Sequence, residues 1–288
     1  MKIRPARKSD KEEILSFCKN TFDWGDYVDR VWDYWFKTGR LFVVEENGKR
    51  IAMAHAAICP DRKSIWLEGL RVHPDHRRSK IATVVLNKMI EYGKQEGAIQ
   101  ASAIVDVTNV ASRRMMEKTG FMIVSKWVYY DLSRVKKSKT SARLATISDL
   151  DEVWEYLEHS KIFGLSARRY VNSWHWNNLD IETLKNFMND NRVIIAGRPI
   201  KAVAILNQHG YWDKKNVMQI VYLDTISAYA LGSVLSFASS IYIEGGFEEF
   251  QLICHDSRII TSFIQKLMSK DREKFLLYNK VFAAKAAP

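Results

Sequence analysis

The stretch Trp66-Leu-Glu-Gly-Leu-Arg-Val72, His73-Pro-Asp-His-Arg-Arg-Ser-Lys80, Ile81-Ala-Thr83 decides how this chain reads. Its first part has the composition of a strand ending at Val72. Pro74 punctuates a short basic turn after it. From Ala82 the apolar residues fall at 82, 85, 86, 89 and 90, the spacing of one helical face, and Gly97 stands where such a helix stops. Strand, basic turn and helix start together suit an anionic phosphate. The first helical turn leaves N–H groups unpaired and carries partial positive charge. Arg77, Arg78 and Lys80 add whole charges beside it.

Outward from this stretch the elements follow in order. Lys2 to Ala6 reads as a strand. Ser9-Asp10 caps a helix that opens with Lys11-Glu-Glu. An aromatic-rich segment (Phe22, Trp24, Tyr27, Trp32, Tyr34, Trp35, Phe36) follows, with Trp32, Trp35 and Phe36 on one helical face. Arg40 to Glu46 and Arg50 to Cys59 form a hairpin through Asn47-Gly48. After the strand at 63–72 and the helix at 82–96, Gln100 to Asp106 is an apolar strand. The helix between them makes it parallel to the 63–72 strand. Asn109 caps a helix over 110–119 closed by Gly120, and Met122 to Leu132 is extended.

Two motifs in this half resemble those of the GNAT superfamily of N-acyltransferases. Leu70-Arg71-Val72 is similar to the family's strand end, Pro74 to its turn, and Arg77 and Ala82 to the first and last positions of its Arg/Gln-x-x-Gly-x-Gly/Ala loop. Lys80 departs from the pattern, standing where the family has glycine. Asn109-Val-Ala-Ser…Glu117-Lys-Thr-Gly-Phe121 is similar to the second motif. The resemblance implies acetyl-CoA as co-substrate, held by Leu70, Arg71, Val72, Arg77, Arg78, Ser79, Lys80, Ile81, Ala82, Thr83 and Asn109. It implies an α/β fold in which a central mixed, mostly antiparallel sheet is flanked by helices.

The resemblance also implies the chemistry. An attacking amine must first lose a proton, because an ammonium of pKa ~10.4 is no nucleophile. Glu68 is the candidate base, two residues before Leu70, and Asp106 is the alternative. Backbone N–H near Leu70–Val72 would stabilise the oxyanion. The tyrosine the family often uses on the second motif's helix is replaced by Met116, with Tyr129 or Tyr130 as substitutes.

Residues 134–141, rich in lysine and serine, read as a linker. Beyond it the opening repeats. Arg4-Pro-Ala-Arg-Lys-Ser-Asp10 aligns with Arg143-Leu-Ala-Thr-Ile-Ser-Asp149. Strands at 193–196, 199–206 and 218–224 follow, then a helix at 228–243, a strand at 249–254, a helix at 258–268 and a strand at 275–282. The basic loop has no counterpart after Asp224. The expected organisation is therefore a cofactor-binding domain at 1–133, the linker at 134–141, and a degenerate GNAT-like domain at 142–288 without a cofactor site. Cys254-His255-Asp256 does not read as a catalytic triad, since neighbours on a strand face opposite sides.

Composition bounds the rest. The 288 residues are 47% apolar and carry a net charge of +11. Residues 1–140 hold 27 Lys and Arg against 17 Asp and Glu, and residues 141–288 hold 17 against 16, so the basic surplus lies with the loop. A polyanion partner is one use for it, and a basic protein binding nucleic acid or another acidic partner is the rival reading. A non-catalytic acyl-CoA-binding protein is another. No apolar run reaches the ~20 residues of a membrane span. The three cysteines are reduced thiols of a cytoplasmic protein on this reading. The histidines lack metal-ligand spacing, so no metal is expected. The expected acceptor is a primary amine on a small molecule or protein. The oligomeric state cannot be read.

Overall fold

The computed structural model describes residues 1–22, 25–133, 140–267 and 273–282. The first half runs β1 (Lys2–Pro5), α1 (Lys11–Cys18), α2 (Val28–Lys37), β2 (Arg40–Glu46), β3 (Lys49–Ile58), β4 (Ser64–Val72), α3 (Ile81–Gln95), β5 (Gln100–Asp106), α4 (Val110–Lys118) and β6 (Met122–Asp131). The second runs β7 (Arg143–Leu144), α5 (Leu150–His159), α6 (Lys161–Leu165), β8 (Arg169–Asn172), β9 (His175–Asn178), α7 (Ile181–Asn189), β10 (Val193–Ala196), β11 (Ala202–Asn207), β12 (Val217–Thr225), α8 (Ala228–Glu244), β13 (Glu249–His255), α9 (Arg258–Leu267) and β14 (Glu273–Val281). The fold is α/β, with mixed, mostly antiparallel strands flanked by helices.

The chain divides into two compact units. The first gathers Met1–Val105, Asn109–Met122 and the chain from Tyr278 on; the second gathers Asp106–Thr108 and Ile123–Leu277. Within the first, the strands lie in the order β1-β2-β3-β4-β5, with the end of β14 beside β5. All neighbours are antiparallel down to β4, and β4–β5 is parallel, as the crossover helix α3 requires. Within the second, the order is β14-β6-β13-β12-β11-β10-β7, with β12–β13 parallel across the crossover α8.

These units cut across the boundary at 133/142. β6 hydrogen-bonds along β13, from Gln251 opposite Asp131 to His255 opposite Trp127. Asn279 of β14 bonds Gln100 and Ser102 of β5 instead. Of the expected linker, residues 134–139 lie outside the described residues, as does Trp24.

Apolar periodicity explains what each element buries. α2 buries Val28, Val31, Trp32 and Trp35 in the first unit, where Ile14, Ile51, Met53 and Trp66 are also fully buried. α8 buries Leu231, Val234, Leu235 and Ala238 against Leu206, Ile220 and Phe250 in the second. Each valine, leucine, isoleucine or phenylalanine among them contributes ~1.5–3 kcal/mol of burial.

The repeated opening builds the same bracket twice. Arg4 grips Asp10 through Nη1 and Nη2 at 2.7 and 2.9 Å, and Arg7 N–H donates to the same carboxylate. Arg143 grips Asp149 at 2.7 and 2.6 Å, with Thr146 N–H in the third role. Asp10 is thus no helix cap in the usual sense. Its carboxylate offers α1 no capping bond and binds Arg4 and Arg50 instead.

Candidate functional site

β4 and β5 are paired only at their starts, Ser64–Trp66 beside Gln100–Ser102. Beyond that, Leu67–Val72 and Ala103–Val105 run on without pairing to each other among the described residues. The departure coincides with a shift of register between β3 and β4 near Met53/His55, and with Gly69 at φ +65°. The strand opens on one side where a glycine turns the backbone out of its ladder. A Cβ on Gly69 would meet the Trp35 ring at 2.5 Å, so indole and backbone touch here.

Past Val72 the chain makes a single helical turn over Pro74–His76. His73 N–H donates to the Ile51 carbonyl, Arg77 Nε to the Val72 carbonyl, and Ser79 Oγ to the His76 carbonyl. Arg78 and Lys80 both have left-handed backbones, at φ +67° and +64°. Lys80 is the N-cap of α3, and its side chain makes no capping bond, so it leaves the first-turn N–H groups at Ile81, Ala82 and Thr83 uncapped. Arg77, Arg78, Ser79 and Lys80 are exposed, and Arg78 and Lys80 make no ion pair among the described residues. An uncapped N-terminus of a four-turn helix with three exposed cations beside it can bind a phosphate.

The wall of the opening carries Glu68. Its Oε1 lies 2.8 Å from Nδ1 of the buried His55. In the sequence the one signal for His55 is its place as a lone histidine inside the apolar run Ile51–Ile58. Arg71 does not face outward as a free cation. Its guanidinium binds both oxygens of the nearly buried Asp26, at 2.7 and 3.0 Å, and lies over the rings of Phe22 and Tyr27. Of Arg71, only the backbone remains for a ligand. Burial pushes the Tyr27 phenol up, with Glu68 adding to the rise, and does the same for Tyr34. Both stay neutral hydroxyls.

The other sequence candidates divide. Asn109 Oδ1 accepts from Ser112 N–H and caps α4, while the residue itself is exposed. Met116 is buried in the core and presents nothing to a ligand. Asp106 is tied into a local turn by Thr108 N–H and Oγ1. Tyr129 and Tyr130 fall in the second unit, and burial raises the Tyr129 phenol. The Tyr278 hydroxyl of β14 donates to Glu117 of α4.

The second unit lacks an equivalent loop. There β12 and β13 pair from Val217 to Ile220 and no further, but Ser227 Oγ caps α8 by accepting from Ala230 N–H. Asp224, at the end of β12, is buried, with Tyr156, Ser160 and Tyr222 donating hydroxyls at 2.9, 2.6 and 2.8 Å. The cap on α8 occupies a first-turn donor that an anion would need, and burial raises the Asp224 carboxyl. Cys254 is buried and its thiol is pushed well up, so the 254–256 string holds no nucleophile. Among the described residues no cluster of His, Cys, Asp and Glu could hold a metal ion, and no helix is long and apolar enough to cross a membrane.

Residues 10–121 match the acetyltransferase (GNAT) family. An uncharacterized N-acetyltransferase of Methanocaldococcus jannaschii is 27% identical over 135 residues, covering 41% of this chain and 59% of that protein. The aminoglycoside N(6')-acetyltransferase type 1 of Acinetobacter haemolyticus is 34% identical over 65 residues, covering 23% of this chain and 45% of that protein. The chain thus spans roughly half the length of these relatives. A GCN5-related N-acetyltransferase of Sphaerobacter thermophilus shares the fold along nearly the whole chain, with a TM-score of 0.63 at 13% identity, covering 97% of this chain and 95% of that one.

Proposed function

We propose that the first unit transfers an acetyl group from acetyl-CoA to a primary amine by direct attack in a ternary complex. The observation that carries this is the uncapped N-terminus of α3, flanked by Arg77, Arg78 and Lys80, beside strands β4 and β5 where they cease to pair. The pyrophosphate would sit on the N–H groups of Ile81, Ala82 and Thr83. The acyl-pantetheine arm would follow the free backbone of Leu70–Val72, with Asn109 at its far side. Backbone N–H on that strand would receive the oxyanion. Glu68 would take the amine's proton. All three cysteines are buried, which favours direct attack over an acyl-enzyme.

In this reading residues 1–133 and 142–288 are two copies of one fold joined at 134–141. The matched Arg–Asp brackets and the parallel strand pair after a crossover helix in each half support the repeat. The second copy binds no cofactor, for the reasons of charge and capping given above. The protein would work in the cytoplasm. Polyamines, lysine and N-terminal amines, and aminoglycosides in view of the Acinetobacter relative, are the acceptors to screen.

Calorimetric titration of acetyl-CoA into wild type and Arg78→Ala at fixed salt tests the site. Micromolar binding, weakened about tenfold by the substitution, is expected. Absence of binding rejects the reading. With an acceptor in hand, Glu68→Gln lowers kcat by about 10²–10⁴-fold if Glu68 is the base.

A further inference from the structure

His55 sits wholly buried behind Glu68, with its ring stacked on Trp35 at 5.0 Å and 10°. Nε2 lies 2.6 Å from the Thr38 carbonyl oxygen and Nδ1 lies 2.8 Å from Glu68 Oε1. A carbonyl oxygen only accepts, so Nε2 carries a hydrogen. In a neutral imidazole Nδ1 is then a bare lone pair. A lone pair does not rest 2.8 Å from a carboxylate oxygen unless a proton lies between them. The pair therefore holds one proton, as imidazolium and carboxylate or as imidazole and carboxylic acid. The ring cannot turn away. Trp35 covers its face, and the backbone of Gly39 lies so close that a Cβ there would be 2.9 Å from Nε2.

We infer that His55 is a positioning residue that holds Glu68 through this shared proton, and that the two take up the acceptor's proton as one unit. The inference rests on the reading of Glu68 as base. The working form is the pair without its shared proton, carrying one negative charge. An N–H bond of the acceptor ammonium breaks, its electron pair stays on nitrogen, and the proton passes to Glu68 to lie between Oε1 and Nδ1; the nitrogen pair then forms the C–N bond, the C–S bond breaks with its electrons on sulfur, and the CoA thiolate takes the second proton that the nitrogen sheds. The proton between Oε1 and Nδ1 leaves to solvent after acetyl transfer, which restores the working form.

Two groups this close titrate as a pair, with apparent values that belong to both. A carboxylate partner favours the imidazolium form. The other groups facing Glu68 exchange no proton near neutral pH. Tyr27 and Tyr34 are raised above the ordinary phenol, and Arg71, bound to Asp26 and lying over Tyr27, stays charged. A titration between pH 5 and 9 at this place belongs to the pair.

The full chain labelled with 15N-histidine, followed by NMR between pH 5 and 9, provides the test, with His55→Asn to assign the signal. Loss of the carboxylate in Glu68→Gln moves the His55 midpoint to lower pH than in wild type. Equal midpoints in the two proteins overturn the inference. The second readout is the pH dependence of kcat. His55→Asn keeps an N–H toward Glu68 but does not titrate. It moves the ascending limb to acid, because the proton is then held by Glu68 alone. A lowered kcat with the limb unmoved would leave His55 a merely structural role and overturn the inference. If no amine is acetylated, the base reading falls, while the histidine titration still decides the coupling.

Discussion

Lys80 holds a left-handed backbone, φ +64°, where a Cβ costs ~1–2 kcal/mol. The sequence showed lysine in place of a family glycine, but a residue's identity does not give its φ. The structure shows that the loop keeps glycine's conformation and carries the strain. Lys80→Gly is expected to raise stability by roughly 0.5–1 kcal/mol net of glycine's entropy, read from the urea midpoint. A loss of stability would mean the lysine stem packs better than its exposure indicates. Asp10 was legible as a helix start and not as a buried ion. Hydrogen bonds from Arg4 and Arg50 hold its carboxyl far below the ordinary range, and Asp149 is held likewise by Arg143. A folded value below the unfolded ~3.9 means the stabilisation is complete above that pH and is lost as pH falls through the folded value. Melting temperature should therefore fall steeply below about pH 4. Asp10→Asn, which leaves the buried Arg4 with Glu45 as its remaining ion partner and Arg50 with Glu13, should cost about 1–3 kcal/mol at pH 7 and flatten that acid slope. A variant with wild-type acid sensitivity would assign the slope elsewhere.

At the scale of the element, β4 does the most to shape the site, through one glycine. Gly69 combines φ +65° with contact to Trp35, whereas Gly48 has φ +77° in the hairpin turn with nothing within 4 Å. The pair separates backbone strain from packing. Gly48→Ala should cost about 1 kcal/mol. Gly69→Ala should cost roughly 2–4 kcal/mol, and it should lower acetyl transfer further by displacing Glu68 next to it. Equal costs would show that Trp35 gives way freely and that the opening does not depend on this contact. The strands and helices of the first half were legible because their signals are local: Asn47-Gly48 for the hairpin, helical apolar spacing from Ala82, Asn109 for α4. The β8–β9 hairpin was missed because its turn is Ser173-Trp174, both at positive φ and neither a usual turn residue there. The loop's cations were legible for the same local reason. Arg71's commitment to Asp26, 45 residues away, was not.

For the whole molecule, the division of the chain follows hydrogen bonds that no repeat or linker signal announces. The first unit includes Tyr278–Phe282, and that segment is built in. Asn279 bonds Gln100 and the buried Ser102, Tyr278 donates to Glu117, Lys280 Nζ donates to the Thr119 carbonyl, and Phe282 N–H donates to the Ile99 carbonyl. Without it, β5 becomes an edge with an unpaired backbone, and Ser102, Gln100 and Glu117 lose partners. A fragment of residues 1–133 holds the loop, Glu68 and His55, and sequence motifs alone would name it a complete catalytic domain. It is expected instead to show no cooperative thermal transition and to bind acetyl-CoA at least tenfold more weakly than the full chain. A full chain ending at residue 272 should share both defects, because it lacks the same strand. Adding residues 273–282 back as a separate peptide should recover part of the transition, since the strand's contacts in this unit are backbone and side-chain hydrogen bonds that do not require a covalent join. A cooperative, acetyl-CoA-binding 1–133 fragment would mean that β6 can pair beside β5 when β14 is absent. The motif boundary would then also be a folding boundary.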